Sequence, residues 1–234
     1  MAMTLSFLPE LAAGTSVPAG LSTLRAFEAT PVVRGHACGV AQLEGLLPDQ
    51  GYPIGVVELA APGRMGGGTS LALAAIAALH AADPHAHAAW IDSDGSLYAP
   101  GVCAAGVDLA RLLVVRPSWE RMTETAIKVA TSAAFSLVVI DVDPAAPLNA
   151  KYTGRRPLGA RGELFVRKLQ LAAEAAQGTI LLLTDAHAGR STLPTSLRLR
   201  LERRKHAISV RVDKDRHGRI GAHALLPPPY AESG

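Results

Sequence analysis

Several short stretches of this 234-residue chain are apolar at consecutive positions rather than at alternate ones. They are Ala88-Ala-Trp-Ile91, Leu112-Leu-Val-Val115, Phe135-Ser-Leu-Val-Val-Ile140 and Thr179-Ile-Leu-Leu-Leu183, and the first and third run into Asp92 and Asp141. A strand apolar on both sides must be covered on both faces, the condition of a parallel sheet flanked by helices. Helical segments are predicted between them, over residues 71–82, from an N-capping Ser118 to about Thr131, and over 162–177. Residues 97–110 read as partly helical. The alternation of strand and helix specifies an α/β fold with right-handed crossovers. After residue 196 the pattern changes: Leu197-Arg-Leu-Arg-Leu201 and Ile208-Ser-Val-Arg-Val212 alternate strictly, and Asp215-Arg-His-Gly218 is a turn signal. The parallel sheet is therefore expected to continue into antiparallel strands with one face in water.

Ahead of the regular pattern, residues 1–50 read as an N-terminal arm with short helices near 21–28 and 40–47. Residues 48–53 read as a turn, 51–226 as the core domain and 227–234 as a flexible tail. With 49 % hydrophobic and 18 % charged residues the composition is globular, which excludes a disordered chain. Cys38 and Cys103 form no CxxC pair, so neither a disulfide framework nor a zinc site is implied. The first residues lack the basic start of a leader, and no apolar run approaches the ~18 residues of a membrane span. A cytoplasmic protein without membrane contact is expected.

A first strand, Ile54-Gly-Val-Val-Glu-Leu59, leads into Gly63-Arg-Met-Gly-Gly-Gly68-Thr69-Ser70 and then a helix. A phosphate-binding loop of the form G-x-x-x-x-G-K-[ST] occupies this position. Its amides and helix N-terminus wrap the phosphates, its lysine neutralises the terminal ones and its hydroxyl holds Mg²⁺. Gly63, Gly68 and Ser70 fit that pattern, but Thr69 stands where the lysine belongs and carries no charge. Asp141 stands where a magnesium-coordinating carboxylate would, and Asp94 where a water-activating one would. Carboxylates at the carboxyl ends of parallel strands line the functional crevice, so Asp92, Asp94 and Asp141 are expected there. The cluster His80, His85 and His87 has no consistent ligand face and reads as surface loop residues. Thr69 and Ser70 have no His/Asp partner for nucleophilic catalysis.

The stretch Gly39–Leu59 resembles the approach to the phosphate loop in the RecA recombinase family. Trp90–Asp94 with Ala105-Gly-Val-Asp108 is similar to that family's catalytic-glutamate segment, and Val138-Val-Ile-Asp141 to its aspartate strand. The resemblance covers about residues 39–225 and implies a RecA-like core. Its departures imply a site out of use. The lysine is Thr69, the glutamate is Asp94, Gly101 stands where a tyrosine would stack on adenine, and Thr184-Asp185 replaces the γ-phosphate sensor. Within this superfamily, Arg167-Lys-Leu-Gln-Leu-Ala-Ala-Glu174 and Leu193-Pro-Thr-Ser-Leu-Arg-Leu-Arg-Leu201 are similar to the ImuA family of mutagenic translesion synthesis. That likeness implies a non-catalytic accessory protein of the SOS response to DNA damage. Its implied partners are an ImuB-like polymerase homologue, an error-prone polymerase and RecA. No cofactor is expected; if the loop keeps a ligand, it is ATP with Mg²⁺.

Charge is divided unevenly. Residues 1–150 hold seven Lys and Arg against thirteen acids, and residues 151–234 hold sixteen against seven. A polyanion or an acidic protein surface is thus the expected partner of the second half. Lys151, Arg155, Arg156 and Arg161 fall where the resemblance places a first DNA-binding loop; Arg198, Arg200, Arg203 and Arg204 form a second cluster on the alternating strand. DNA binding by these residues would be salt-dependent and sequence-independent. Three readings remain: an adaptor acting through proteins and DNA, a weak ATPase borrowing a cation from elsewhere, or a domain kept for homo-oligomer formation alone.

Overall fold

The computed structural model describes residues 35–62, 66–141, 159–186, 193–216 and 219–227. The helix expected near 21–28, most of the arm, the first basic loop and the tail beyond 227 lie outside these. The described residues open with strand β1 (Gly35–His36), a one-turn helix α1 (Ala41–Glu44) and strand β2 (Tyr52–Pro53), which pairs antiparallel with β1. Residues 35–50, expected as arm, bury Cys38, Leu43 and Leu47 in the main hydrophobic cluster. Pro48–Gln50 forms a 3-10 turn in place of the start of the turn expected over 48–53.

Strand β3 (Gly55–Ala61) is buried at all seven positions. It is followed by α2 (Gly68–Ala82), β4 (Ala88–Asp92), a short α3 (Ala99–Ala104), β5 (Leu112–Val115), α4 (Trp119–Thr131) and β6 (Leu137–Asp141). Then come α5 (Gly159–Ala176), β7 (Thr179–Asp185), β8 (Leu197–Arg204), β9 (Ala207–Asp215) and β10 (His223–Leu226). Among the described residues an eight-stranded sheet runs β10-β9-β8-β3-β7-β6-β4-β5. Strands β8 to β5 are parallel along that order, and β9 and β10 are antiparallel, as the change of periodicity predicts. Ser118 takes the extended N-cap position of α4 but makes no side-chain capping bond.

Two apolar layers cover the sheet. One joins α2 and the segment 38–52 to Val57, Leu59, Trp90, Leu181 and Leu199; the other joins α4 and α5 to Val56, Ile91, Ile140 and Leu182. Consecutive residues of one strand feed opposite layers, the reason these strands are apolar throughout. Strand β5 departs from that expectation. Among the described residues it is the edge of the sheet, with Leu113 and Val114 exposed. Among the described residues no helix is long and apolar enough to cross a membrane.

Candidate functional site

The carboxyl ends of β3, β4 and β6 open on the head of α2. Gly66, Gly67 and Gly68 bring the chain from β3 into the helix, and two of them are sterically required. A Cβ on Gly66 would lie 2.4 Å from that of Ala61, and one on Gly67, whose φ is +95°, 2.5 Å from Ile208 Cδ1. Gly68 is not so confined: the nearest atom to a Cβ there would be Leu183 Cδ2 at 3.7 Å. The turn thus rests on side chains of β7, β8 and β9. Gly63 lies outside the described residues. Thr69 and Ser70 are half-buried in the first turn of α2.

A cavity of about 500 Å³ lies beside this turn, lined by Thr69, Leu73, Trp90, Leu97, Tyr98 and Asp141 among others. Asp141 is the one charged residue among the described residues that line it. Trp90 is buried, and its Nε1 has no hydrogen-bond acceptor among the described residues. Tyr98 stands largely exposed at the rim, three residues before Gly101, which also lines the wall. A polyphosphate entering here would meet apolar side chains, the hydroxyl-bearing Thr69, Ser96 and Tyr98, and one carboxylate.

The three aspartates separate. Asp141 lines the cavity; Asp94, half-buried, is not among its lining residues. Asp92, expected in the crevice, is fully buried and turned into its own loop. Its Oδ1 accepts the Ser96 amide at 2.9 Å, and its Oδ2 accepts the Leu97 amide and Arg116 Nε, each at 3.1 Å. A carboxylate so occupied holds the loop that forms the cavity's lip and is not offered to a ligand. His80 also departs from the surface role expected of it. It is buried on α2, and its Nδ1 accepts the Asp108 amide at 3.3 Å. Among the described residues no group of His, Cys, Asp and Glu could hold a metal ion.

Of the basic residues, Lys151, Arg155 and Arg156 lie outside the described residues, as does the side chain of Arg161. Arg203 is exposed, and Arg204 is exposed beside Glu202, Nη2 to Oε2 2.6 Å. Arg198 requires a correction. Its side chain is 7 % exposed and lies against Glu58, 2 % exposed, with Nη1 3.6 Å from Oε2. Thr184 Oγ1 donates to the other Glu58 oxygen at 2.8 Å. Burial pushes the Glu58 carboxyl above its ordinary value, and Arg198 and Thr184 pull it back only in part. The charge of Arg198 is thus directed into the sheet and cannot reach a phosphate. A residue not singled out from sequence, Arg211, takes its place on the surface, and the mostly buried Asp213 binds both Arg200 and Arg211.

No family model matches the sequence, and no curated protein matches it. Among solved structures the chain is similar to a crystal structure of the RadB recombinase, with a TM-score of 0.64 and 17 % sequence identity, covering 82 % of this chain and 94 % of that one. At this identity the likeness shows the fold, which is RecA-like.

Proposed function

We propose that this RecA-like chain is a non-catalytic accessory protein of the DNA damage response, acting in mutagenic translesion synthesis through protein partners and DNA. The cavity beside the head of α2 carries the proposal. Thr69 occupies the lysine position, and Asp141 is the one charged residue among the described residues lining the cavity. Phosphoryl transfer depends on cations that answer charge developing on the phosphate oxygens. An apolar wall with one carboxylate opposes that chemistry. Gly63, Gly68, Thr69, Ser70, Asp94 and Asp141 are then the remnant of a nucleotide site.

The resemblance to the ImuA family supplies the finer assignment: an ImuB-like polymerase homologue and an error-prone polymerase as partners, RecA as a further one, and a cytoplasmic setting. DNA would be held by cations of the second half: Arg203 and Arg204, which are exposed, together with Lys151, Arg155 and Arg156. The test is calorimetry of the purified chain with ATP and Mg²⁺, beside titration of single-stranded DNA at two salt concentrations. No heat of nucleotide binding is expected, and any DNA affinity should fall steeply with salt. ATP turnover abolished by Asp141→Ala would overturn the proposal and make the chain an ATPase with its cation supplied from elsewhere.

A further inference from the structure

The three antiparallel strands differ on their two sides. Leu199, Leu201, Val210, Val212 and Leu226 enter the main hydrophobic cluster. Alternation sends the intervening residues to the opposite side. There, strand pairing sets Arg200, Arg211 and His223 in one row across β8, β9 and β10, and Glu202, Ser209 and Leu225 in the next. Neighbouring strands lie about 4.8 Å apart, so the first row gathers two guanidiniums and an imidazole within roughly 10 Å.

That row is held in place. The strand pairing shifts between Arg198 and Leu199, which leaves Asp213 opposite no residue of β8. Bulges of this kind re-aim a side chain. Asp213 Oδ2 accepts Arg200 Nε and Oδ1 accepts Arg211 Nε, both at 2.8 Å. Each guanidinium is thus fixed through Nε, which leaves its terminal N–H groups for a second partner. The two side chains are 42 % and 60 % exposed. Partial burial would raise the Asp213 carboxyl, but the two guanidiniums outweigh it and hold it below the ordinary range, so the clamp stays charged. Beside the row, Leu225 is 64 % exposed on β10, which among the described residues pairs only with β9. An edge strand with an exposed apolar side chain is a template for strand addition.

We propose that the outer edge of β10 accepts an extended acidic segment of a protein partner as a further strand, with a carboxylate at the Arg211–His223 row and an apolar side chain two residues away covering Leu225. The inference names the partner chemistry of the accessory role proposed above and rests on that reading. A protein fits better than a nucleic acid, because only a polypeptide backbone can pair with the edge of β10. The three strands also carry no Phe, Tyr or Trp on which bases could stack.

The experiment is fluorescence anisotropy of the full chain with a labelled peptide in which glutamate and leucine alternate with threonine. Controls are the same peptide with lysine for glutamate, versions methylated on alternate backbone amides, and labelled oligothymidylate. The glutamate peptide should bind; the lysine peptide and at least one methylated version should not. The double substitution R200E/R211E should weaken binding about tenfold or more and admit the lysine peptide. Leu225→Glu, which leaves every ion pair of the sheet intact, should weaken the glutamate peptide comparably. No binding of the glutamate peptide, or binding indifferent to these substitutions and to amide methylation, overturns the proposal. So does oligothymidylate binding through Arg200 and Arg211 in place of the peptide. Calorimetry with ATP on the same preparation reports on the accessory role separately, since turnover would remove that role and leave the peptide result standing.

Discussion

Substituting Arg198→Met should destabilise the protein by about 3 kcal/mol, the lower end of the cost of breaking a buried ion pair from one side. The guanidinium and the Glu58 carboxylate are 7 % and 2 % exposed, so its removal leaves a carboxylate in the middle of the sheet. Two features limit the loss. Thr184 still donates to Glu58 at 2.8 Å, and the positive charge of Lys214 acts on the same carboxylate. Three kcal/mol lowers the melting temperature of a chain of this size by roughly 6–12 °C. Replacing both partners, Glu58→Leu with Arg198→Met, should cost less than the single change. It removes the stranded charge and leaves the Thr184 hydroxyl without its acceptor, about 1–3 kcal/mol. Urea denaturation of the wild type, the two single variants and the double variant at pH 7 gives the cycle. A single variant within about 1 kcal/mol of wild type, with no recovery in the double, would refute the internal role and return Arg198 to the surface.

Gly67→Ala should cost about 2 kcal/mol, since φ is +95° and the new Cβ would meet Ile208; adding Ile208→Ala should recover only the steric part, read from urea midpoints. Asp92→Asn weakens the hold on Arg116 and the 96–97 amides, so amide exchange over 93–98 should quicken; unchanged exchange would show that the lip is held otherwise. Burial and then the Arg111 charge lower the His80 pKa. The folded chain therefore prefers the neutral ring, and the unfolded chain takes up a proton near pH 6.5. Stability is then present above that pH and falls as pH drops through about 6.5. His80→Gln should flatten this slope, and equal slopes in the two proteins would exclude the histidine as its source.

How far the fold could be read from sequence depended on whether a residue's partner was near in the chain. The apolar runs at β4, β6 and β7 need only two covered faces, and that requirement is written into each run. The run at β5 looks the same but sits at the sheet's edge, because which strand ends the sheet follows from the crossovers of all the others. Strict alternation in Leu-Arg-Leu-Arg-Leu marks one face of β8 as apolar and the other as wet. It fails for Arg198 because Glu58, 140 residues earlier, lies beside it on the parallel neighbour. Asp92 misled for a local reason: a carboxylate at a strand end can face the crevice or the following turn, and here Ser96, Leu97 and Arg116 decide for the turn. Thr69 in the glycine-rich turn was legible because a single side chain sets the charge there. The Asp213 clamp was not, since it depends on a bulge that no residue type announces.

The position of β3 has a consequence for how the chain is made. Its seven residues are all buried and its two neighbours are β7 and β8, which begin at Thr179 and Leu197. On the ribosome, β4, β5 and β6 can pair with one another as they emerge. The strand carrying the glycine-rich turn must wait, both edges bare, until more than a hundred further residues are synthesised. Such an interval favours capture by chaperones and misassembly between nascent chains. Closing so long a loop also slows folding, because the entropy is lost before any contact of β3 is gained. Stalling synthesis before residue 179 should therefore yield aggregates, and release past residue 204, where β8 is complete, should permit assembly of the central sheet.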